Sequence, residues 1–109
     1  MEILNELMGN QNFFETANLT TEDSGLPYNV WLDSAGKDRN VEHNTPRLKV
    51  EVDNEFIPMS ISKDDVWSLK DFKKKSVMVK WIMDNYDVLI RHWNKELTDR
   101  QALNLLSKD

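Results

Sequence analysis

Two histidines are the first residues of this sequence whose chemistry could form a site. His43 opens the stretch HNTPRLKV, where Arg47 and Lys49 follow within six residues, and His92 lies inside a long helical pattern. A metal site needs several His, Asp or Glu side chains that converge. Neighbouring cations repel a metal ion, so we predict no metal site and no cofactor. A small metal-dependent hydrolase centred on His43 stays open as an alternative.

No other residues have the spacing of a catalytic site. The chain of 109 residues contains no cysteine, which excludes disulfides, thiolate ligands and a cysteine nucleophile. Three glycines do not form a glycine-rich phosphate loop, and two histidines so placed give no serine–histidine–acid set. The sequence therefore favours a protein that is not an enzyme.

A run of lysines stands before and inside the long helical pattern. Clustered lysines can hold a phosphate backbone or an acidic protein surface. The members of this run are Lys70, Lys73, Lys74, Lys75 and Lys80. On a helix these side chains do not share one face, so a solvated helix start is the simpler interpretation. A nucleic-acid contact through residues 70–80 remains a second alternative.

Charge is distributed unevenly along the chain, whose net charge is −5. Residues 1–66 contain 13 acids and 5 bases, for a charge of −8, and residues 67–109 contain 6 acids and 9 bases, for +3. General nucleic-acid binders carry a strong basic excess, so this balance favours a protein partner. No apolar run reaches the roughly 18 residues of a membrane span. The first ten residues carry acids where an export signal has cations, so we expect a cytoplasmic protein without a membrane partner.

Three segments alternate between apolar and polar residues, as half-buried strands do. They are YNVWLDS at 28–34, RLKVEVD at 47–53 and FIPMSIS at 56–62. Their links are too short for helical crossovers, so an antiparallel meander is predicted. Trp31 falls on the polar face of the first segment. Either a second helix covers that face, or Trp31 is exposed and available to a partner.

One long helix is predicted from Asp71 to about Glu96. Its start, SLKD at 68–71, resembles a capping box. The apolar stripe along it consists of Met78, Ile82, Leu89 and Trp93. Flanking apolar residues widen the stripe beyond what one sheet face requires, so the helix is expected to be held on two sides. Asn85, at the edge of the stripe, is expected to bond a strand end or loop backbone and fix how the helix docks.

The predicted fold is a single α+β domain over residues 1–109. It comprises an N-terminal helix and irregular segment (1–25), a three-stranded antiparallel sheet packed on the long helix (26–97), and a short terminal helix (98–109). Thr98 and Gln101 form a second capping box, which opens the terminal helix.

The chain resembles a family of small, uncharacterised bacterial and phage domains of unknown function. That family has an H-x-P-P-H-x-H-V stretch opening a strand and a W-I-x-x-N…L…W helix. The matching strand residues are His43, Pro46 and Val50, and the matching helix residues are Trp81, Ile82, Asn85, Leu89 and Trp93. The resemblance covers roughly residues 26–97. Arg47 and Lys49 stand where the family has its later histidines, so this chain would be a divergent member.

The resemblance implies a small regulatory or inhibitory binding protein, because such domains occur on mobile elements and in operons resembling toxin–antitoxin pairs. We therefore expect a non-enzymatic protein-binding module of phage or mobile-element origin that regulates or inhibits a host or cognate protein. An anti-CRISPR-like inhibitor of a defence nuclease is one example. A nucleic-acid-contacting regulator of the toxin–antitoxin type is the corresponding form of the second alternative. The partner-binding candidates are Trp31, His43, Arg47, Lys49, Lys70, Lys73 and Lys74.

Overall fold

A computed structural model describes residues 16–33 and 45–108 of the chain. These residues form four strands and four helices. In chain order they are β1 (Thr16–Leu19), α1 (Thr21–Ser24), β2 (Asn29–Asp33), β3 (Arg47–Val52), β4 (Glu55–Ser60), α2 (Lys75–Asp84), α3 (Tyr86–Trp93) and α4 (Asp99–Leu106). The predicted N-terminal helix within residues 1–10 lies outside the described residues.

The four strands form one antiparallel sheet in the order β1-β2-β3-β4. β3 and β4 are joined by a two-residue turn at Asp53 and Asn54, whose φ angles are 51° and 67°. Positive φ at both turn residues matches the right-handed twist of the flanking strands, and Asp and Asn tolerate it better than most residues. The predicted antiparallel meander is therefore confirmed for β2, β3 and β4.

One face of the sheet is buried against the helices. Alternation places every second residue of each strand on this face. The buried apolar strand residues are Ala17, Leu19, Val30, Leu32, Leu48, Val50, Val52, Ile57 and Met59. Met78, Ile82, Leu89 and Trp93, the apolar stripe predicted from sequence, are all buried too. The core thus lies between this face and the helices.

The prediction of three strands is wrong, because β1 adds a fourth beside β2. β1 lies in the segment 1–25 that was expected to be irregular, so the sheet begins before residue 26. Its four residues include only two apolar ones, Ala17 and Leu19, and this is too short an alternation to stand out. α1 follows directly, with Thr20 as N-cap and Gly25 at φ 78° as C-cap.

The prediction of one long helix is also wrong, since α2 ends at Asp84 and α3 begins at Tyr86. Asn85 lies between them with φ −112° and ψ 18°, outside helical geometry. Its side-chain Nδ2 donates to the Trp81 carbonyl at 2.9 Å. Asn85 therefore bonds its own helix rather than the strand end or loop that was expected. An amide that can bond nearby backbone competes with regular helix at such a position.

The capping box predicted at 68–71 is wrong as well. Ser68 forms an antiparallel bridge with Met59, and its Oγ donates to the Lys70 carbonyl at 2.6 Å. The helix starts later, at Lys75, after Lys74 with φ 66°. The capping box at Thr98 is confirmed, because Thr98 Oγ1 accepts from the Gln101 N–H at 3.1 Å and Gln101 Oε1 accepts from the Thr98 N–H at 2.9 Å.

Within the described residues, no helix combines the length and the apolar character that crossing a membrane requires.

Candidate functional site

The second face of the sheet, here called the open face, carries most of the strand residues proposed as partner contacts. Register places Trp31 opposite Lys49, and Lys49 opposite Pro58. The structure thus brings Trp31 beside Lys49, although the two are far apart in the sequence. Arg47 precedes Lys49 by two residues, but its guanidinium contacts the helix layer. His43, the fourth candidate near this strand, lies outside the described residues.

Residues 67–69 extend the open face beyond β4. The Ser60 N–H donates to the Trp67 carbonyl at 2.8 Å, and the Leu69 N–H donates to the Pro58 carbonyl at 3.0 Å. In this antiparallel pairing, Trp67 lies beside Ser60 and Leu69 beside Pro58. Pro58 has no N–H to donate, and a proline is tolerated in β4 because β4 lies at the outer edge of the sheet. Trp67 and Leu69 therefore join the open face.

The result is an exposed apolar surface, here called the apolar patch. It consists of Trp31, Phe56, Pro58, Trp67 and Leu69. Phe56, Trp67 and Leu69 are 50%, 55% and 58% exposed. Single exposed apolar residues are common, whereas several large ones that share one sheet face are unusual on a protein surface.

A groove of about 230 Å³ crosses the patch, lined by Trp31, Asp33, Lys49 and Phe56. The Trp31 and Phe56 rings meet edge to face, with centroids 5.8 Å apart and an angle of 83° between their planes. Small-molecule sites usually measure about 300–1,000 Å³. The groove is smaller than this range and suits a protruding side chain of a partner.

The charged groups on the open face already have partners within the protein. Lys49 Nζ lies 3.6 Å from Asp33 Oδ2, and the Trp31 indole N–H donates to Glu51 Oε1 at 3.0 Å. The Arg47 guanidinium lies 5.5 Å from the centroid of the Trp93 ring, which is buried in α3. Arg47 thus contacts the helix layer, and its stacking on Trp93 differs from the simple wet-face position that alternation predicts. Apolar contact is the main interaction that this face offers.

The run of lysines within residues 70–80, here called the lysine segment, is largely neutralised by carboxylates. Lys70 pairs with Glu55, Lys75 with Asp71 at 3.5 Å, and Lys80 with Asp84 at 2.7 Å. In the parts of the chain that the structure describes, Lys73 and Lys74 have no carboxylate partner. A solvated, ion-paired segment fits these contacts better than a phosphate-binding surface.

A cleft of about 390 Å³ lies at the turn end of the sheet, next to the lysine segment. Its walls include the edge-to-face pair of Tyr28 and Phe72, with ring centroids 5.6 Å apart. The Tyr28 hydroxyl donates to the Lys73 carbonyl at 2.6 Å and so fixes the segment before α2. Carboxylates and ammonium groups both line the cleft, so it has no single charge preference.

The second histidine, His92, has a structural position. It is 3% exposed, and its Nε2 lies 2.7 Å from Asp99 Oδ1. This contact links α3 to the first residue of α4. Among residues 16–33 and 45–108, no three His, Cys, Asp or Glu side chains are arranged to hold a metal ion.

The motif-matching residues within 45–108 lie in the core or at its boundary. Val50, Ile82 and Leu89 are among the most deeply buried side chains, and Trp81 packs against them from the boundary. The Pro46 carbonyl accepts from the Ile61 N–H at 3.0 Å, closing the entry to β3. These residues build the fold rather than the exposed surface.

The two most exposed members of the patch, Trp67 and Leu69, were not predicted from the sequence. Leu69 falls inside the segment 68–71 that was expected to be a capping box. Residues 67–69 join β4 through two backbone hydrogen bonds, and so short a pairing leaves no alternation of apolar and polar residues in the sequence. The exposure of Phe56 could have been predicted, because in the third predicted strand it falls on the opposite face from Ile57 and Met59.

Neither a family model, nor a curated protein, nor a solved structure matches this chain.

Proposed function

We propose that this protein is a non-enzymatic protein-binding module that docks through the apolar patch. The observation that carries the proposal is the position of Phe56, Trp67 and Leu69, three half-exposed large side chains on one sheet face. Interfaces are anchored by a few aromatic and apolar residues that fill pockets on the partner. Trp31 and the groove beside it supply a reciprocal pocket for a side chain of the partner.

The paired charges of the open face support docking of a protein. Lys49 already pairs with Asp33, so burying this pair under another surface leaves no lone lysine charge. Glu51 accepts from the neutral Trp31 indole N–H and keeps its negative charge there. The resemblance of residues 26–97 to mobile-element domains extends the proposal to a regulator or inhibitor of a host protein, such as a defence nuclease. A phage or mobile-element origin and a cytoplasmic location belong to the same extension.

Affinity capture from host lysate, with and without nuclease treatment, tests the proposal. The wild-type chain is compared with a patch variant, Phe56→Ser/Trp67→Ser/Leu69→Ser. The matched control is Val77→Ser/Leu105→Ser, which removes exposed apolar side chains from α2 and α4 instead. We expect the wild type and the control to capture one discrete protein whether or not nuclease is added. The patch variant should fail to capture it. Equal capture by the patch variant would contradict the proposal.

The second candidate function is a nucleic-acid contact through the lysine segment. The observation in its favour is that Lys73 and Lys74 lack a carboxylate partner among the described residues. Capture that disappears on nuclease treatment, and that depends on these two lysines, would favour this function over the first.

A further inference from the structure

The charges around the apolar patch indicate what kind of partner fits it. Asp64 and Asp65 lie in the turn that connects β4 to residues 67–69 and are both exposed. Their backbone N–H groups donate to Ser62 Oγ at 3.3 and 3.0 Å, which holds the turn in place. Within the described ranges, neither carboxylate has a cation partner. These two carboxylates precede Trp67 in the chain by three and two residues.

The nearby cations are engaged elsewhere. Lys63 Nζ lies 5.6 Å from the centroid of the Tyr86 ring, on the helical side of the sheet. Lys49 pairs with Asp33, and Lys70 pairs with Glu55. Residues 61–66 contain one lysine and two aspartates, so the net charge of this turn is −1, of the same sign as the net charge of −5 of the chain.

We infer that the apolar patch binds an arginine-bearing, apolar segment of a partner protein, with the arginine at Trp67, Asp64 and Asp65. The inference rests on the proposed function and specifies its partner. A guanidinium stacks on an indole face and pairs with carboxylates through its planar fork of donors. Trp67 is more than half exposed, and two carboxylates precede it by two and three residues. Apolar side chains next to that arginine would contact Phe56, Leu69 and the groove at Trp31.

Other occupants fit the charges less well. Nucleic acid and an anionic membrane surface are repelled by Asp64 and Asp65. A second copy of this chain would bring its own net charge of −5 to the interface. A cationic protein segment is attracted by these two carboxylates, and in the complex its positive charges would lie beside them.

The test uses a capped pentapeptide, acetyl-Leu-Arg-Leu-Arg-Leu-amide, titrated into the full chain and followed by NMR at the Trp67 indole N–H. The comparison peptide replaces both arginines with citrulline, which keeps the shape and removes the charge. We expect the arginine peptide to shift the Trp67 signal and to bind at least fivefold more tightly than the citrulline peptide. Equal binding of the two peptides, or no shift of Trp67, would overturn the inference.

Two variants with the same net charge separate the site from general attraction. Asp64→Asn/Asp65→Asn should weaken arginine-peptide binding about fivefold. Glu22→Gln/Asp87→Asn neutralises two exposed acids on α1 and α3 and should leave binding within twofold. Equal losses in both variants, or no loss in the first, would overturn the inference.

A lysate experiment distinguishes failure of the inference from failure of the proposed function. Arginine-specific modification of the lysate should abolish capture of the partner, whereas lysine acetylation should not. Capture that requires the apolar patch but survives arginine modification would leave the proposed function standing and overturn the arginine inference. A dimer that dissociates in Phe56→Ser/Trp67→Ser/Leu69→Ser would assign the patch to a second copy and overturn it as well.

Discussion

At the scale of single residues, His92 shows how a candidate chemical group can serve the fold. Its ring is buried, and its Nε2 bonds Asp99 at the start of α4. Imidazoles at metal or catalytic sites converge with other ligands or with a nucleophile. Here the one close polar partner in the described structure is a carboxylate on the neighbouring helix. The bond is best understood as a link between two helices.

We expect His92→Ala to destabilise the protein by about 2–3 kcal/mol, because it leaves a cavity and removes a buried polar contact. Urea unfolding followed by circular dichroism measures the change. The control is Arg91→Ala on the exposed side of α3, which should cost less than about 0.5 kcal/mol. A loss of less than about 0.5 kcal/mol for His92→Ala would contradict the structural role.

At the scale of elements, short-range signals decided which helix ends could be predicted. The capping box at Thr98 was readable because its side chains bond backbone within three residues. The SLKD segment carries a similar pattern, but Ser68 pairs with Met59, nine residues earlier. Local sequence cannot weigh that tertiary pairing against a helix cap. Asn85 was similarly recognised as unusual, while the helix break that it makes was not.

Replacing Thr98 by Ala should cost about 1 kcal/mol, since the Gln101 N–H loses its acceptor at the start of α4. Thr98→Ser keeps a hydroxyl oxygen at the same position and should retain most of the stability. Thermal and urea unfolding of the three proteins provide the measurement. Similar stabilities of Thr98→Ala and Thr98→Ser would show that the cap contributes little.

The alternation of apolar and polar residues predicted the strands of the sheet better than it predicted the residues of the apolar patch. Leu48, Val50 and Val52 alternate without a break, and all three are buried as expected. The apolar patch instead depends on residues 67–69 joining the edge of β4, a contact between segments that neither sequence pattern encodes. Trp31 was the one patch residue identified in advance, because it interrupts the polar face of β2.

At the scale of the whole molecule, the sheet separates a closed core from an open face. Helices cover one side, and the apolar patch lies on the other. The lysine segment, by contrast, is ion-paired at Lys70, Lys75 and Lys80. Exposed pairs of this kind contribute little stability, but they reduce the positive field that a nucleic acid would need.

Charge reversal of Lys73 and Lys74, which have no carboxylate partner within residues 16–33 and 45–108, should therefore have little effect. In Lys73→Glu/Lys74→Glu, we expect capture of the protein partner to stay within twofold of wild type and to remain resistant to nuclease. Quantitative mass spectrometry of the captured material measures both. Loss of the captured material in this variant would favour the nucleic-acid function instead.

The most direct test of the account is the dissociation constant of the captured partner for three chains: wild type, Phe56→Ser/Trp67→Ser/Leu69→Ser and Val77→Ser/Leu105→Ser. We predict at least a tenfold loss for the patch variant, about 1.4 kcal/mol, and less than twofold for the control. Urea unfolding should show that both variants remain folded, because the replaced side chains are exposed. A folded patch variant that binds as tightly as wild type would contradict the central claim that this face is the docking surface.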